Sequence, residues 1–426
     1  MRRLTRLALI DIGPLRRHRD FRLLVGARAV SFLGSMVTYV AVPYQVYRLT
    51  GSSLVVGLLG LAELVPLLLT AFLGGALADA VDRRRMVQLT ELALAGASGA
   101  LVLNAALAHP QLWLLFVVAA LMAGLDGLQR PSLEALEPRL VERDELPAAN
   151  AISSLAMTAG MIGGPALGGV LIATIGLPGT YGLDVVTFAV SLGALRLMRA
   201  VPPPPDADRP SLRSIAEGFR YARGRPELLG TYGVDMVAMF FGMPNALFPA
   251  LAVKLGGGAS LLGLLYAAPA GGALLATVTS GWVARVHRHG AAVCVAAAGW
   301  GVGIVVVGFA PGVALALAGL VIAGFADMVS GIFRGTIWNQ TISDRLRGRL
   351  AGIEQVSYSS GPLLGNAEAG IVASLAGVRA SIVSGGILCI AGVGLAAALL
   401  PAFWRYDGRA ELDETPLGGP ASELVT

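Results

Sequence analysis

Twelve apolar stretches, each near the 20 residues that an α-helix needs to cross a hydrocarbon core, run through this 426-residue chain with short polar loops between them. They lie near 22–47, 54–77, 86–108, 111–130, 147–175 and 179–198, and again near 227–252, 260–284, 291–309, 313–334, 349–375 and 379–404. Backbone N–H and C=O groups in lipid must be satisfied within the segment, so stretches of this kind fold as helices. With 14% charged residues and a mean hydropathy of +0.71, lipid is the solvent for most of the chain. The 56 glycines fit this reading, because membrane helices associate through small residues that let backbones approach. An all-α membrane protein follows. Before the first stretch, the apolar run from Leu7 to Ile10 is broken by Asp11, so no signal-peptide core is expected there.

Basic residues choose an orientation. Counting the stretches in order puts both termini and every second loop on one side, which holds Arg16, Arg17 and Arg19, then Arg83 to Arg85, then Arg345, Arg347 and Arg349. The opposite loops hold Arg48, Lys254 and Arg379. The positive-inside rule makes the first side cytoplasmic. The net charge of +5 therefore encodes topology, and no nucleic-acid partner is implied. Cys294 and Cys389 sit inside separate apolar stretches and are expected to be packing residues.

The chain divides into a cytoplasmic segment 1–20, a six-helix bundle 21–200, a linker 201–226, a second bundle 227–404 and a cytoplasmic tail 405–426. Pro202 to Pro205 stiffen the linker. After them Leu212, Ile215 and Phe219 recur at helical spacing opposite Arg213, Arg220 and Arg223, which predicts an interfacial amphipathic helix over 211–225. The two bundles repeat one another. Asp126 maps onto Asp327 and Gly169 onto Gly370 at an offset of 201, and Gly57 and Gly75 map onto Gly263 and Gly281 at an offset of 206. Such weak internal symmetry marks a two-bundle transporter with its site between the halves.

Two motifs carry mechanism. After the second stretch, Gly75-Ala76-Leu77-Ala78-Asp79-Ala80-Val81-Asp82-Arg83-Arg84-Arg85 resembles the cytoplasmic loop motif of the major facilitator superfamily. Gly75 permits close approach, Asp79 can meet a helix N-terminus, and Arg83 and Arg84 open the basic run, so the four form a candidate conformational latch. Asp82 stands where that family usually has glycine, which puts the turn geometry in question; the bland alternative is that the arginines only orient the chain. In the fifth stretch, Gly160, Gly164, Pro165, Gly168 and Gly169 resemble the glycine-proline motif of superfamily antiporters, which implies export, although generic helix packing produces the same smooth face. Further stretches, among them Phe21 to Arg28, Ala41-Val42-Pro43, Thr50-Gly51-Ser52 and Gly263-Leu264-Leu265-Tyr266-Ala267, resemble the enterobactin-exporter-like family over nearly the full length. The resemblance implies proton-driven efflux of a siderophore or another aromatic compound; drug pumps are related members.

Ionisable residues inside the membrane are functional suspects. They are Arg28, Glu63, Glu91, Asp126, Asp184, Asp235, Asp327, Glu354 and Glu368. Arg28, Asp126, Asp235 and Asp327 share a depth in the first, fourth, seventh and tenth stretches. If these line a central cavity, as the superfamily fold implies, the four face one vestibule and form a substrate and proton-coupling site, with Glu63 as the rival proton carrier. The histidines show no metal spacing beyond His287-x-His289, so neither metal nor cofactor is expected. The chain also lacks a catalytic constellation or a phosphate-binding loop, which argues against an enzyme. The leading reading is a secondary efflux transporter in the bacterial cytoplasmic membrane, functioning as a monomer with a small-molecule substrate and protons as partners. An importer of the same fold and a non-transporting receptor or scaffold remain open.

Overall fold

The computed structural model describes residues 11–80, 82–201, 220–221, 223–342 and 344–409, with the side chains of 72–73, 75–80 and 344–356 outside that description. Among the described residues every regular element is helical. The long helices are α1 (Arg19–Thr50), α2 (Ser53–Ala80), α3 (Arg83–Ala106), α4 (Leu112–Leu136), α5 (146–175), α6 (177–196), α7 (Pro226–Phe241), α8 (Ala259–Val278), α9 (His289–Phe309), α10 (Val313–Thr341), α11 (Asp344–Ala376) and α12 (Val378–Leu399). Limbs α5 and α6 belong to one stretch, Leu146–Arg196, that turns at Gly176. There φ is 72°, a left-handed value that glycine adopts without strain. Among the described residues ten helical stretches, with 143–196 and 226–254 each taken whole, are long and apolar enough to cross a membrane, so the chain is a multi-pass membrane protein. Side chains such as Leu103, Val278, Leu375 and Leu399 stand exposed on the outside, where only lipid suits them.

One expected span departs from a plain helix. Helix α7 stops at Gly242, passes through a 3₁₀ turn at Asn245–Leu247, and resumes as a short helix, Phe248–Lys254. Pro244 has no N–H to give. The Gly242 carbonyl, which would pair with the Ala246 N–H in an unbroken helix, accepts from Trp300 Nε1 at 2.8 Å.

Helices before residue 201 pack chiefly with one another, α1 along α5 and α2 along α4, and those after 226 do the same, α9 lying between α10 and α12. The two groups meet along α2 with α11 and α5 with α8. Both crossings use glycine. A Cβ added to Gly57 would lie 3.2 Å from the Gly370 Cα, and one added to Gly169 would lie 2.9 Å from the Gly263 Cα. These contacts fall near the starts of α2 and α8 and the ends of α5 and α11, the end of the molecule away from the chain termini.

At the other end both terminal segments are tied down. Arg17 and His18 each bond to Glu145 beside the start of α5, the arginine at 2.8 Å. Phe403 is buried against Gly230 and Gly290, and Gln340 donates to the Gly408 carbonyl at 3.0 Å. The predicted amphipathic helix lies outside the described residues except for its last turn, where Tyr221 donates to the Thr341 carbonyl at 2.9 Å.

Candidate functional site

A cavity of about 470 Å³ lies where the two groups of helices meet, a size within the range of small-molecule sites. Helices α1 to α6 supply most of its wall. The second group closes it with Asn245 and Ala246 from the break in α7, Tyr266 from α8, and Tyr358 and Asn366 from α11.

The break in α7 makes part of the site. Asn245 Nδ2 donates to the Tyr39 hydroxyl at 3.1 Å, while the Asn245 carbonyl accepts from the Tyr266 hydroxyl at 3.0 Å. The Ala246 N–H, freed by the broken helix, donates to Asn366 Oδ1 at 3.1 Å. Tyr39 and Tyr266 meet edge to face with centroids 5.3 Å apart. One polar and aromatic cap thus joins α1, α7, α8 and α11. Glu63, on α2, lies close enough for its charge to reach both tyrosines.

Toward the termini the wall becomes charged. Arg28, Asp126, Gln129 and Arg130 line it, with Glu91 behind Ser31. Arg28 donates to Met157 Sδ at 3.3 Å and reaches Glu137 at 3.6 Å. Asp126 is open to the cavity, with Arg130 and Arg28 as the cations acting on it. Met36, Met122, Met157 and Met161, with Phe32 and Phe188, complete a deformable apolar lining. The cavity can hold an amphiphile: planar apolar groups against sulfur and aromatic rings, anionic or hydrogen-bonding groups at the arginines.

The four charges that share a depth do not share this cavity. Arg28 and Asp126 line it, as does Glu63, but Asp235 and Asp327 do not. Arg334 holds those two instead, bonding Asp235 directly and lying 3.6 Å from Asp327. Helix α10 contributes nothing to the described wall. The expectation overlooked Arg334 because this arginine falls at the edge of the apolar stretch, where it reads as a loop residue. In the structure α10 continues two turns further, and Arg334 is buried. A carboxylate facing it from α7, seven residues before it a second on its own helix, is the signal that a buried partner was needed.

Of the latch residues, Gly75 lies within α2, and the side chain of Asp79 lies outside the described residues, as does that of Glu354. Arg83 and Arg84 are placed: Arg83 donates to the Ala135 carbonyl at 3.3 Å, and Arg84 to the carbonyls of Met198 at 2.5 Å and Arg196 at 3.3 Å. The turn before them is resolved by Asp82, whose Oδ1 accepts from the Arg84 N–H at 2.9 Å and caps α3. Among the antiporter-like residues, Gly160, Gly164 and Gly168 receive Phe32, Met36 and Val37 of α1, while the Pro165 carbonyl and Gly169 receive Gly263 of α8. That motif therefore builds both a seam within the first group and a crossing to the second. Among the described residues no cluster of three or more His, Cys, Asp or Glu is placed to hold a metal.

Residues 11–414 match the family described as transmembrane secretion effector. The enterobactin exporter EntS of Citrobacter koseri is 31% identical over 389 residues, 90% of this chain and 93% of that protein. Among solved structures, a bacterial homologue of the human lysosomal transporter Spinster, inward-facing and unoccupied, superposes with a TM-score of 0.69 at 15% identity, covering 90% of this chain and 95% of that one. A bacterial homologue of the iron transporter ferroportin, also inward-facing, gives 0.66 at 18% identity over 91% and 98%. With the match spanning nearly every residue, this chain belongs to the transmembrane secretion effector family of the major facilitator superfamily, a family of membrane transporters rather than enzymes, among the enterobactin-exporter-like members.

Proposed function

We propose that this protein is a secondary active exporter that moves an amphiphilic aromatic compound, of the catecholate siderophore kind, out of the bacterial cytoplasm in exchange for protons. The observation that carries the reading is the cavity itself, which sets Arg28 and Arg130 by the carboxylate of Asp126, and Glu63 by the tyrosine cap, within a methionine and aromatic lining. A substrate with planar rings and anionic oxygens satisfies both surfaces at once. The relatives' name as enterobactin exporters supports export and that substrate class.

In this scheme twelve spans form two six-helix halves, 21–200 and 227–404, joined by 201–226, with both termini cytoplasmic and the monomer as the working unit. Glycine crossings close the far side, so the cavity faces the cytoplasm as in the inward-facing structural neighbours. With Asp126 ionised, its carboxylate accepts from a hydroxyl of the substrate while Arg28 holds an anionic oxygen. Protonation of Asp126 from the outer side removes that acceptor and releases the substrate, so proton and substrate occupy the site in turn. Asp235 and Asp327, with Arg334, serve as the matching charge set of the second half, and Gly75, Asp79, Arg83 and Arg84 serve as the latch between states.

Transport into inside-out vesicles tests the reading. Enterobactin should accumulate when the lumen is acidified, collapse with a protonophore, and lose its gradient dependence in Asp126→Asn or Glu63→Gln. Gradient-independent accumulation by the wild type would sink proton coupling, and absence of accumulation for enterobactin and for simpler catechols would sink the substrate class.

A further inference from the structure

Two buried carboxylates stand inside the first group of helices, apart from the cavity's charged floor, and they are stacked in register. Ser31 of α1 donates to Glu91 of α3 at 3.1 Å, and Ser191 of α6 faces the same carboxyl. Seven residues along each of the same three helices, Thr38 of α1 and Ser98 of α3 each donate at 2.7 Å to Asp184 of α6. One further heptad along α1, Gln45 accepts from the Tyr181 hydroxyl at 2.8 Å. Seven helical residues rise about 10 Å. The result is a three-tier polar column between α1, α3 and α6, running from the cavity wall toward the end of α1 that lies away from the termini.

Its chemistry is not that of a structural ion pair. Neither Glu91 nor Asp184 takes part in an ion pair among the described residues. Nearby cations are turned elsewhere: Arg28 toward Glu137, Arg83 and Arg84 toward backbone carbonyls. An ionised carboxylate buried among neutral hydroxyls carries a large uncompensated desolvation cost, whereas a protonated one is a donor that such hydroxyls satisfy. Glu91, which lines the cavity, also keeps one oxygen, Oε2, buried without a hydrogen-bond partner, and Ser191 Oγ is buried in the same way. Between the tiers α1 carries Gly34, where any side chain would run into Thr187 and Asp184. The second half has no such column: at the repeat offset of 201, Glu91, Ser98, Asp184 and Ser191 become Ala292, Gly299, Gly385 and Gly392.

From this arrangement we infer that Glu91 and Asp184 are two stations of a proton path that leaves the cavity wall and runs through the α1–α3–α6 seam, separate from the substrate's own route. Glu91 swaps its proton with cavity water by way of Ser31, and Asp184 swaps its own with Glu91 along the seam, one proton in for one out, so both carboxyls are neutral after each exchange. The idea rests on the proton-coupled reading above, but its test needs no transported compound.

Infrared spectra of the purified full-length protein at neutral pH provide that test. Wild type minus Glu91→Gln and wild type minus Asp184→Asn should each show one lost protonated-carboxyl band, and Ser98→Ala, which keeps the acid but removes one donor, should shift the Asp184 band. On transfer to D₂O the Asp184 band should exchange several-fold more slowly in Glu91→Gln, and likewise in Ser31→Ala, because its route to the cavity is cut. An Asp184 exchange rate unchanged in both variants, or the absence of a protonated band for either acid, overturns the path. Failure of enterobactin to accumulate in vesicles while exchange stays linked would instead overturn the transport reading alone.

Discussion

Arg334 illustrates what decides the fate of a charge in lipid. Its guanidinium is buried against Asp235 and close to Asp327, and each partner would be costly there without it. Replacing it with leucine should destabilise the protein by about 3–5 kcal/mol, the range for stranding a buried charge, while the Arg334→Leu, Asp235→Asn double variant should recover much of the loss. Thermal unfolding in detergent measures both; a double variant no better than the single would show that Asp235 is not the residue stranded. A smaller effect is predicted at Asp82, where alanine removes the cap of α3 at about 1 kcal/mol, read from the same melts. Residue by residue, the sequence was legible wherever a charge inside an apolar run had to be special, as with Arg28, Glu63 and Asp126, all of which line the cavity. It misled where depth was taken for direction. Equal distance from a helix end says nothing about which neighbour a side chain meets, so Asp235 and Asp327 were grouped with a cavity that they do not line.

Elements were easier to recognise, since length and hydropathy suffice for them, and the expected spans match the helices closely. The break in α7 was not foreseen, although Gly242-Met243-Pro244-Asn245 carries its signal: a proline without an N–H, preceded by a glycine where Trp300 intrudes. Apolar runs report what lipid requires and are silent about a kink that neighbouring helices repair. The repeat was more informative than any single motif. Gly57 corresponds to Gly263 and Gly169 to Gly370, and in the folded chain Gly57 meets Gly370 while Gly263 meets Gly169, so the paired glycines form two related crossings. Valine at Gly263 would press on the Pro165 carbonyl and on Gly169, holding α5 and α8 apart. Gly263→Val should therefore cut substrate export at least about tenfold, the effect of some 1.4 kcal/mol on the closed state. Gly271→Val, on the same helix with open space around it, should export normally. Equal losses in the two variants would mean that bulk anywhere on α8 is harmful and that the crossing has no special part.

At the scale of the whole molecule, two independent asymmetries combine into one testable arrangement. The first is chemical: arginine clusters mark the end that carries the termini, with only Arg48, Lys254 and Arg379 in the opposite loops, and a bilayer translates that bias into orientation. The second is geometric: both glycine crossings lie at the opposite end, so the helices are tied together there. Together they make up the proposed arrangement, in which the cavity's entrance is on the cytoplasmic face in this state, as an exporter needs for loading. Single cysteines read both asymmetries in one experiment, because the native Cys294 and Cys389 are buried and react slowly with a bulky impermeant maleimide. In sealed cells, cysteines at Ser52, Gly257 and Gly377 should label from outside, whereas one at Arg84 should not. A cysteine at Gln129 or Tyr358, both in the cavity wall, should label in inside-out vesicles and stay protected in cells. Introducing Gly263→Val alongside the Tyr358 cysteine should weaken that protection, since the crossing that closes the outer end is then held open. Labelling of Arg84→Cys in sealed cells would reverse the orientation. Cavity cysteines labelled from outside but not from inside, with Arg84→Cys still protected, would instead show that the resting state opens outward, and the glycine crossings would lose their assigned part as the closed gate.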